Sequence, residues 1–191
     1  MRKLYMIRHG ITEGIEKQLY YGRTDMPLTE AGRALCVSEG KKWNLPDTIE
    51  YATSGMLRTE QTLELMFGAH PHKTYPDLRE MNVGAFECKT YDQLKDDPAF
   101  QTWMTDATGE STIPGGESNR IFRSRVARAL DGLHEIYSGD VMLVCHGGVI
   151  CSAMLYLFPE ARPSFYDWTV ESCHGYAIYF EDGKPVRFEE V

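Results

Sequence analysis

The sequence lacks the long apolar stretches that carry a chain into or across a membrane. No apolar run reaches the roughly 18 residues that indicate a transmembrane helix. The apolar stretch that precedes Arg8 is also shorter than the roughly 7–15 residues of a secretory signal. We therefore expect a cytoplasmic protein without a membrane partner.

Cysteine usage excludes a second group of proteins. The five cysteines are an odd number and include no C-x-x-C pair, which argues against a disulfide framework or a zinc knuckle. His70 and His72 flank Pro71, but no matching cluster of carboxylates or thiols is evident, which favours a surface loop over a metal site. We expect reduced thiols and no bound metal.

Basic residues are also scarce. Lys and Arg number 20 against 28 Asp and Glu, and the net charge is −8. Nucleic-acid-binding proteins usually carry a basic excess, so nucleic acid is not an expected partner. The 191 residues contain no internal repeat or linker, and we expect one domain over residues 1–191.

Short apolar runs alternate with helical patterns along the chain. The predicted strands are Lys3–Ile7, Ile49–Thr53 and Val141–Cys145, followed by a hairpin around Asp182-Gly183. The predicted helices run from the N-cap Thr29 to Trp43, from the N-cap Ser54 to Phe67, from Ser118 to Tyr137 and from Val149 to Phe158. This alternation predicts an α/β fold, a three-layer α/β/α sandwich with a largely parallel central sheet.

Residues from about 84 to 116 depart from this pattern. The segment is rich in glycine and proline and holds two short helical patterns, Tyr91–Lys95 and Pro98–Asp106. Long excursions inside a compact domain are often binding loops or lids. We expect a small helical cap insertion over a site.

Two of the predicted strands end in the same way. Arg8-His9-Gly10 follows the first strand, and His146-Gly147-Gly148 follows the strand Val141–Cys145. Ligands of open α/β sheets bind beyond the carboxyl ends of the strands, so both histidines lie at the edge where sites form. Arg58 stands about one helical turn after Ser54 and could reach the same edge.

Two histidines, two arginines and helix N-termini at one edge would form a pocket for a dianion. Arginine pairs bidentately with phosphate oxygens, and histidine can attack phosphorus to give a covalent intermediate. Glu80, at the start of the cap, is a candidate for the acid that protonates the leaving oxygen.

Each of these residues also has a structural interpretation. A single histidine after a strand is more often a satisfied core residue, and Arg58 or Glu80 alone would be a solvated surface charge. The repeated His-Gly pattern with two arginines favours the site. His134 is expected to be exposed or structural, and His174 either approaches the substrate or, as is favoured, is structural. Four aromatic residues either line a leaving-group pocket or belong to the core: Tyr20, Tyr21, Phe100 and Trp103.

Six segments carry motifs that extend this pattern. They are Arg8–Thr12 (R-H-G-x-T), Gly22–Gly32 (G-x-x-D-x-P-L-T-x-x-G), Ser54–Thr62 (S-x-x-x-R-x-x-Q-T), Leu78–Glu87 (L-x-E-x-x-x-G-x-x-E), Pro114–Ser118 (P-G-G-E-S) and Cys145–Ile150 (x-H-G-G-x-I). In this order, from residue 3 to about residue 180, the chain resembles the histidine phosphatase superfamily, the phosphoglycerate-mutase-like proteins.

The resemblance implies a role for each residue at the edge. His9 would be the phosphate-accepting nucleophile and Glu80 the proton donor, while Arg8, Arg58 and His146 would bind the phosphoryl oxygens. Further substrate- or phosphate-binding residues are expected at Thr12, Tyr21, Gly22, Arg23 and Gly147. Neither a metal nor an organic cofactor is implied.

Two positions depart from the family pattern. Ile15 stands where the family often has an asparagine, and Ser172-Cys173 stands where an asparagine often precedes Cys or Ala. Isoleucine cannot hydrogen-bond phosphate, so one phosphate contact of the family is not expected here.

The expected function is hydrolysis of a small phosphomonoester by a metal-independent phosphomonoesterase of the histidine acid phosphatase type, as a monomer or homodimer. The alternative is a phosphoglycerate-type mutase, disfavoured because the short chain leaves room for only a small cap; a non-catalytic phosphate-binding module is less favoured still. Within the phosphatases, the segment Leu19–Arg23 and the chain length resemble the α-ribazole phosphatases.

Overall fold

The computed structural model describes residues 1–191 apart from the side chains of residues 134 and 135. The expectation for His134 lies outside the described part. No helix in the described part is long and apolar enough to cross a bilayer.

A six-stranded sheet forms the centre of the molecule. Its strand order is β4-β3-β6-β1-β7-β8, and a separate two-stranded ribbon pairs β2 with β5. The strands are β1 (Arg2–Arg8), β2 (Leu19–Tyr20), β3 (Glu50–Thr53), β4 (His72–Thr74), β5 (Lys89–Thr90), β6 (Val141–Cys145), β7 (Gly175–Glu181) and β8 (Lys184–Glu190).

The first four strands in this order run parallel. β1 pairs in parallel with β6, β6 with β3, and β3 with β4, whereas β7 and β8 join antiparallel at the β1 side. Arg8 is in register with Cys145. The predicted largely parallel sheet is confirmed, and the ends of β1, β3 and β6 meet at one edge.

Helices cover both faces of the sheet. They are α1 (Glu13–Glu16), α2 (Glu30–Gly40), α3 (Leu57–Phe67), α4 (Tyr91–Leu94), α5 (Pro98–Thr105), α6 (Asn119–Ile136) and α7 (Gly147–Leu157). α2 packs against α3, and α6 packs against α7. The predicted three-layer arrangement is confirmed.

Alternating strand side chains supply the two apolar layers. Leu4 and Met6 belong to the larger cluster with Leu143, whereas Ile7 and Met142 belong to the cluster beneath α2 and α3. Successive side chains of a strand point to opposite faces, so each strand contributes to both layers. The sheet is therefore buried on both faces, as parallel sheets are.

The capping signals hold at two of three helices. The side chains of Thr29 and Ser118 accept hydrogen bonds from Gly32 N and Ile121 N, as predicted N-caps do. The prediction for Ser54 was wrong, since α3 has Met56 at its N-cap position without a side-chain cap. Ser54 is instead a residue of the polar edge described below.

Three other predictions on the elements need correction. α2 ends at Gly40 rather than at Trp43; a β-carbon at Gly40 would collide with the Met66 backbone, so α2 and α3 are in close contact there. His72 opens the edge strand β4 instead of lying in a loop. β2 and β5 were not predicted, because two-residue strands show no periodicity.

Candidate active site

A cavity of about 840 Å³ opens beyond the carboxyl ends of β1 and β6. Its charged wall is built from the strand-end residues and the start of the cap, and its other wall is largely aromatic. The ionisable side chains of the charged wall are those of Arg8, Arg58, Glu80, Asp106 and Arg123 together with the neutral His9, and the aromatic ones are those of Tyr20, Tyr21, Trp103, Phe122, Phe165 and Tyr166.

One ring nitrogen of His9 is unprotonated. Its Nδ1 lies 2.8 Å from the Gly10 carbonyl oxygen, which can only accept, so Nδ1 carries the proton. Its Nε2 accepts a hydrogen bond from Arg58 Nε at 3.2 Å. The two bonds fix the tautomer with an unprotonated Nε2, the form in which a histidine is a nucleophile.

The surroundings of His9 keep it neutral. The side chain is buried and close to two guanidinium groups. Burial, and then the positive charges of Arg58 and Arg8, hold the pKa of His9 well below its ordinary value, against a smaller opposing effect of the Gly10 carbonyl. The nucleophilic form therefore persists well into acidic pH.

Arg58 lies between the two histidines. Its Nε donates to His9 Nε2 and, at 3.3 Å, to His146 Nδ1. The terminal nitrogens donate to Gly22 O at 2.8 Å and Thr24 O at 3.1 Å. The side chain is fully buried, so these acceptors fix the guanidinium plane at the base of the cavity.

His146 lies behind Arg58 rather than on the cavity wall. Its Nδ1 accepts from Arg58, so its Nε2 is the protonated nitrogen and donates to Ser54 Oγ at 2.8 Å. The two histidine rings are 5.2 Å apart between centroids. Burial and the charge of Arg58 hold the pKa of His146 well below its ordinary value. Direct contact of His146 with a phosphoryl group stays a prediction.

Glu80 faces the charged wall from the start of the cap. Its Oε2 accepts from Gly148 N at 2.9 Å, at the N-terminus of α7, and its Oε1 accepts from Met81 N at 2.9 Å. The carboxyl group thus lies on the same cavity as His9, as the sequence predicted.

Arg8 reaches the cavity from the last residue of β1. Its terminal nitrogen donates to Val170 O at 2.7 Å, while Nε is buried and has no hydrogen-bond partner among the described residues. A buried unpaired donor is costly, and an anion in the cavity would satisfy it. A β-carbon at Gly147 would lie 3.3 Å from this Nε, so the glycine lets Arg8 approach α7.

Three predicted phosphate-binding residues lie outside the lining of the cavity. Thr12 is fully buried, caps α1 and hydrogen-bonds Tyr21 Oη at 2.6 Å. Gly22 supplies a carbonyl to Arg58, and Arg23 lies 3.9 Å from Glu117. The Gly22 loop therefore lies beside Arg58, and direct contact of the three residues with a phosphoryl group stays a prediction.

The aromatic residues divide between the wall and the core. Tyr20, Tyr21 and Trp103 line the cavity, whereas Phe100 is buried beneath them. Trp103 Nε1 is buried without a partner among the described residues, so it is a donor available to a bound group.

Ile15 and His174 are two further positions that the sequence singled out. Ile15 lies in a neighbouring cavity that shares Arg8 and Tyr21 with the main one. The His174 side chain lies outside the lining of the cavity, with its Nδ1 at 3.1 Å from Ser172 O and its Nε2 at 3.7 Å from Glu39, while its backbone carbonyl accepts from Arg8 N at 2.9 Å.

Sequence reasoning missed the residues that hold the site in place. Ser54 supports His146, and Glu87 accepts from the backbone N–H groups of Gly22, Arg23 and Thr24 at 2.8–3.2 Å. Glu87 and Glu117 stand inside the quoted motifs, which was the available signal. Arg125 lies outside all six motifs, so nothing in the sequence pointed to it.

The described residues contain no group of three or more His, Cys, Asp or Glu side chains placed to hold a metal ion. His72 Nε2 lies 2.7 Å from Glu60 Oε2 on the surface, away from the cavity.

Residues 4–189 match the histidine phosphatase superfamily (branch 1), and the chain belongs to this family. The chain is 31% identical over 171 residues to the probable phosphoglycerate mutase GpmB of Yersinia enterocolitica, covering 85% of this chain and 79% of the relative. The resemblance seen in the motifs is thereby confirmed.

Solved structures share the fold. The α-ribazole phosphatase of Shigella flexneri superposes with a TM-score of 0.86 at 24% identity, over 96% of this chain and 93% of that one. The phosphoglycerate mutase of Thermus thermophilus superposes with a TM-score of 0.73 at 28% identity, over 97% of each chain. Proteins with this fold therefore bear the names of two different reactions.

Proposed function

We propose that the protein is a phosphomonoester hydrolase that works through a phosphohistidine at His9. The observation that carries this proposal is the fixed tautomer of His9, whose bare Nε2 faces Arg58 on the cavity. A neutral histidine beside the buried guanidinium of Arg58 and the half-buried one of Arg8 combines a nucleophile with charges that stabilise a phosphoryl dianion.

The reaction has two steps. A phosphoryl oxygen replaces His9 as the acceptor of the Arg58 Nε–H, and His9 Nε2 attacks phosphorus. The bond from phosphorus to the ester oxygen breaks, and Glu80 gives that oxygen its proton. Glu80, now a carboxylate, takes a proton from water; the hydroxide oxygen attacks phosphorus, and the phosphorus–nitrogen bond breaks to release phosphate and His9.

The cavity favours a leaving group larger than a short alcohol. Its volume of about 840 Å³ is larger than a phosphoryl group fills, and one of its walls is aromatic. We infer a ring-bearing alcohol as the leaving group, with α-ribazole phosphate one candidate substrate, since a structural neighbour bears that name.

The second candidate is a phosphoglycerate-type mutase, favoured by the name of the 31% identical relative. The same phosphohistidine would return its phosphoryl group to another hydroxyl of the substrate. Incubation with 3-phosphoglycerate separates the two: release of inorganic phosphate supports the hydrolase, and formation of 2-phosphoglycerate supports the mutase.

The central test is His9→Ala with p-nitrophenyl phosphate. We expect kcat/KM to fall by at least about 10³-fold, because the covalent route is lost. His174→Ala, at a half-exposed histidine outside the cavity, is the control and retains activity. Activity of His9→Ala within about tenfold of wild type would refute His9 as the nucleophile. An acid-labile phosphoryl group should be trapped on wild type and not on His9→Ala. Its absence from wild type, or its presence on the variant, would refute the nucleophile as well.

A further inference from the structure

An ion pair lies behind the wall that carries Glu80. Arg125, on α6, binds Glu117 with both edges of its guanidinium: Nε lies 2.8 Å from Oε1, and a terminal nitrogen lies 2.8 Å from Oε2. Both side chains are largely buried, at 11% and 12% exposure. A bidentate pair of this kind fixes both groups in one plane.

The remaining donors of Arg125 reach the backbone that leads to Glu80. They contact the carbonyl oxygens of Asp77 at 2.6 Å, Arg79 at 3.0 Å and Glu80 at 3.4 Å. One guanidinium thus holds three carbonyls of the segment that leads from a single 3-10 turn, Pro76–Leu78, to Glu80.

Glu117 holds the other side of the same segment. Its Oε2 accepts from Asn82 N at 2.8 Å, and its own N–H donates to Asn82 O at 2.9 Å. Burial alone would raise the pKa of Glu117, but hydrogen bonds from Arg125 and Asn82 outweigh it, so the pKa lies below its ordinary value. The pair stays charged and brackets Glu80 between residues 79 and 82.

The Glu80 side chain depends on this bracket. Its carboxylate oxygens accept hydrogen bonds from the adjacent Met81 N and from Gly148 N across the cavity. Neither bond sets the distance from the carboxyl to the ester oxygen unless the backbone at residue 80 is held, and a displacement of about 1 Å is enough to slow catalysis greatly.

We propose that Arg125 and Glu117 are positioning residues that hold the Glu80 carboxyl at proton-transfer distance from the leaving oxygen. The proposal deepens the proposed function and depends on Glu80 as its proton donor. Arg125 acts through the backbone and does not line the cavity.

The test compares two substrates that differ in their need for a proton. p-Nitrophenolate leaves without protonation, whereas an alkyl alcohol such as that of glycerol phosphate leaves only when protonated. Arg125→Lys keeps the charge but loses the planar fork. We expect it to lower kcat/KM for the alkyl ester by about 10- to 100-fold and kcat/KM for the aryl ester by less than about threefold, because kcat/KM reports the step in which the alcohol leaves and not the hydrolysis of phosphohistidine that both esters share.

Three further variants complete the experiment. Glu80→Gln is the reference: it loses about 10²-fold or more in kcat/KM on the alkyl ester alone, whereas loss of the base in the shared second step lowers kcat for both esters. Glu117→Gln repeats the test from the other partner if Arg125→Lys fails to fold. Arg128→Lys, exposed on the same helix, is the matched control and leaves both rates unchanged.

The outcomes separate the two levels of the argument. If Glu80→Gln discriminates between the esters but the Arg125 and Glu117 variants lower both rates equally, the pair is merely structural and the positioning proposal is overturned. If Glu80→Gln does not discriminate, Glu80 is not the proton donor, and the failure lies in the proposed function.

Discussion

At the scale of single residues, one hydrogen-bonded row defines the chemistry. It runs from Gly10 O through His9, Arg58 and His146 to Ser54. Each member fixes the proton of the next, so both histidines are neutral with defined tautomers. The row explains how two histidines beside an arginine differ in role: one faces the cavity, and the other orients the arginine.

Ser54→Ala tests the end of this row. The variant leaves the His146 Nε2–H buried without its acceptor, which costs about 1–3 kcal/mol of unfolding free energy. We expect kcat/KM on p-nitrophenyl phosphate to fall by about tenfold because Arg58 loses its orientation. Urea unfolding and steady-state kinetics measure both effects.

Ser152→Ala is the matched control for that variant. Ser152 Oγ is buried on α7 and has no partner among the described residues, so its removal leaves activity unchanged. Equal losses in the two variants would show that Ser54 contributes packing alone.

At the scale of elements, the site depends on where α7 begins. Gly147 and Gly148 directly follow His146, and the Gly148 N–H binds Glu80. The absence of a side chain at Gly148 lets the carboxyl group approach, since a β-carbon there would lie 2.5 Å from Glu80 Oε1. A turn from strand to helix therefore aligns a nucleophile from β1 with an acid from the cap.

Gly148→Ala tests this contact. We expect the Glu80 side chain to shift, with kcat for glycerol phosphate lowered by about tenfold or more and the melting temperature little changed, because a flexible carboxylate yields first. Gly132→Ala is the control: α6 has open space there, and alanine should stabilise the helix by about 0.5–1 kcal/mol without affecting kcat. Unchanged turnover in Gly148→Ala would contradict the proposed place of Glu80.

At the scale of the whole molecule, charge is distributed unevenly. The chain carries −8, yet Arg8, Arg58 and Arg123 line one cavity. The total charge disfavours polyanions, and the local charge favours a small phosphate ester. The two histidines that are buried in neutral form at this site also make the unfolding free energy of the protein depend on pH.

Stability is expected to fall in acid because of His9 and His146. Both have pKa values well below 6.5 when folded, whereas the unfolded chain binds a proton at each near pH 6.5. The contribution of these two histidines to the unfolding free energy is therefore constant above about pH 6.5 and decreases below it by about 1.4 kcal/mol per pH unit for each histidine.

Urea titrations between pH 7.5 and pH 5 measure this slope. His9→Gln should have a slope smaller by about 1.4 kcal/mol per pH unit than wild type, since one of the two groups is removed and the carboxylates are common to both proteins. Identical slopes would mean that His9 is protonated in the folded protein.

Much of the fold was readable from local pattern. The apolar runs at β1 and β6 gave the strands, Thr29 and Ser118 marked helix starts, and Asp182-Gly183 marked the hairpin. The N-cap prediction for Ser54 was wrong because, in the sequence, a serine before a helix has the same pattern whether it caps the helix or contacts a histidine that follows another strand. The short strands β2 and β4 gave no periodicity, because tertiary pairing alone forms them.

The sequence by itself determined which family motifs the chain carries and that His9 and His146 follow strands of the same design, because strands, caps and motifs are local properties of the chain. The tertiary structure alone decided which ring nitrogen of His9 is bare, why Thr12, Gly22 and Arg23 lie outside the lining of the cavity, and how Arg125 holds the backbone of Glu80. These are contacts between residues far apart in the chain, and hydrogen-bond geometry exists only once the sheet has brought them together.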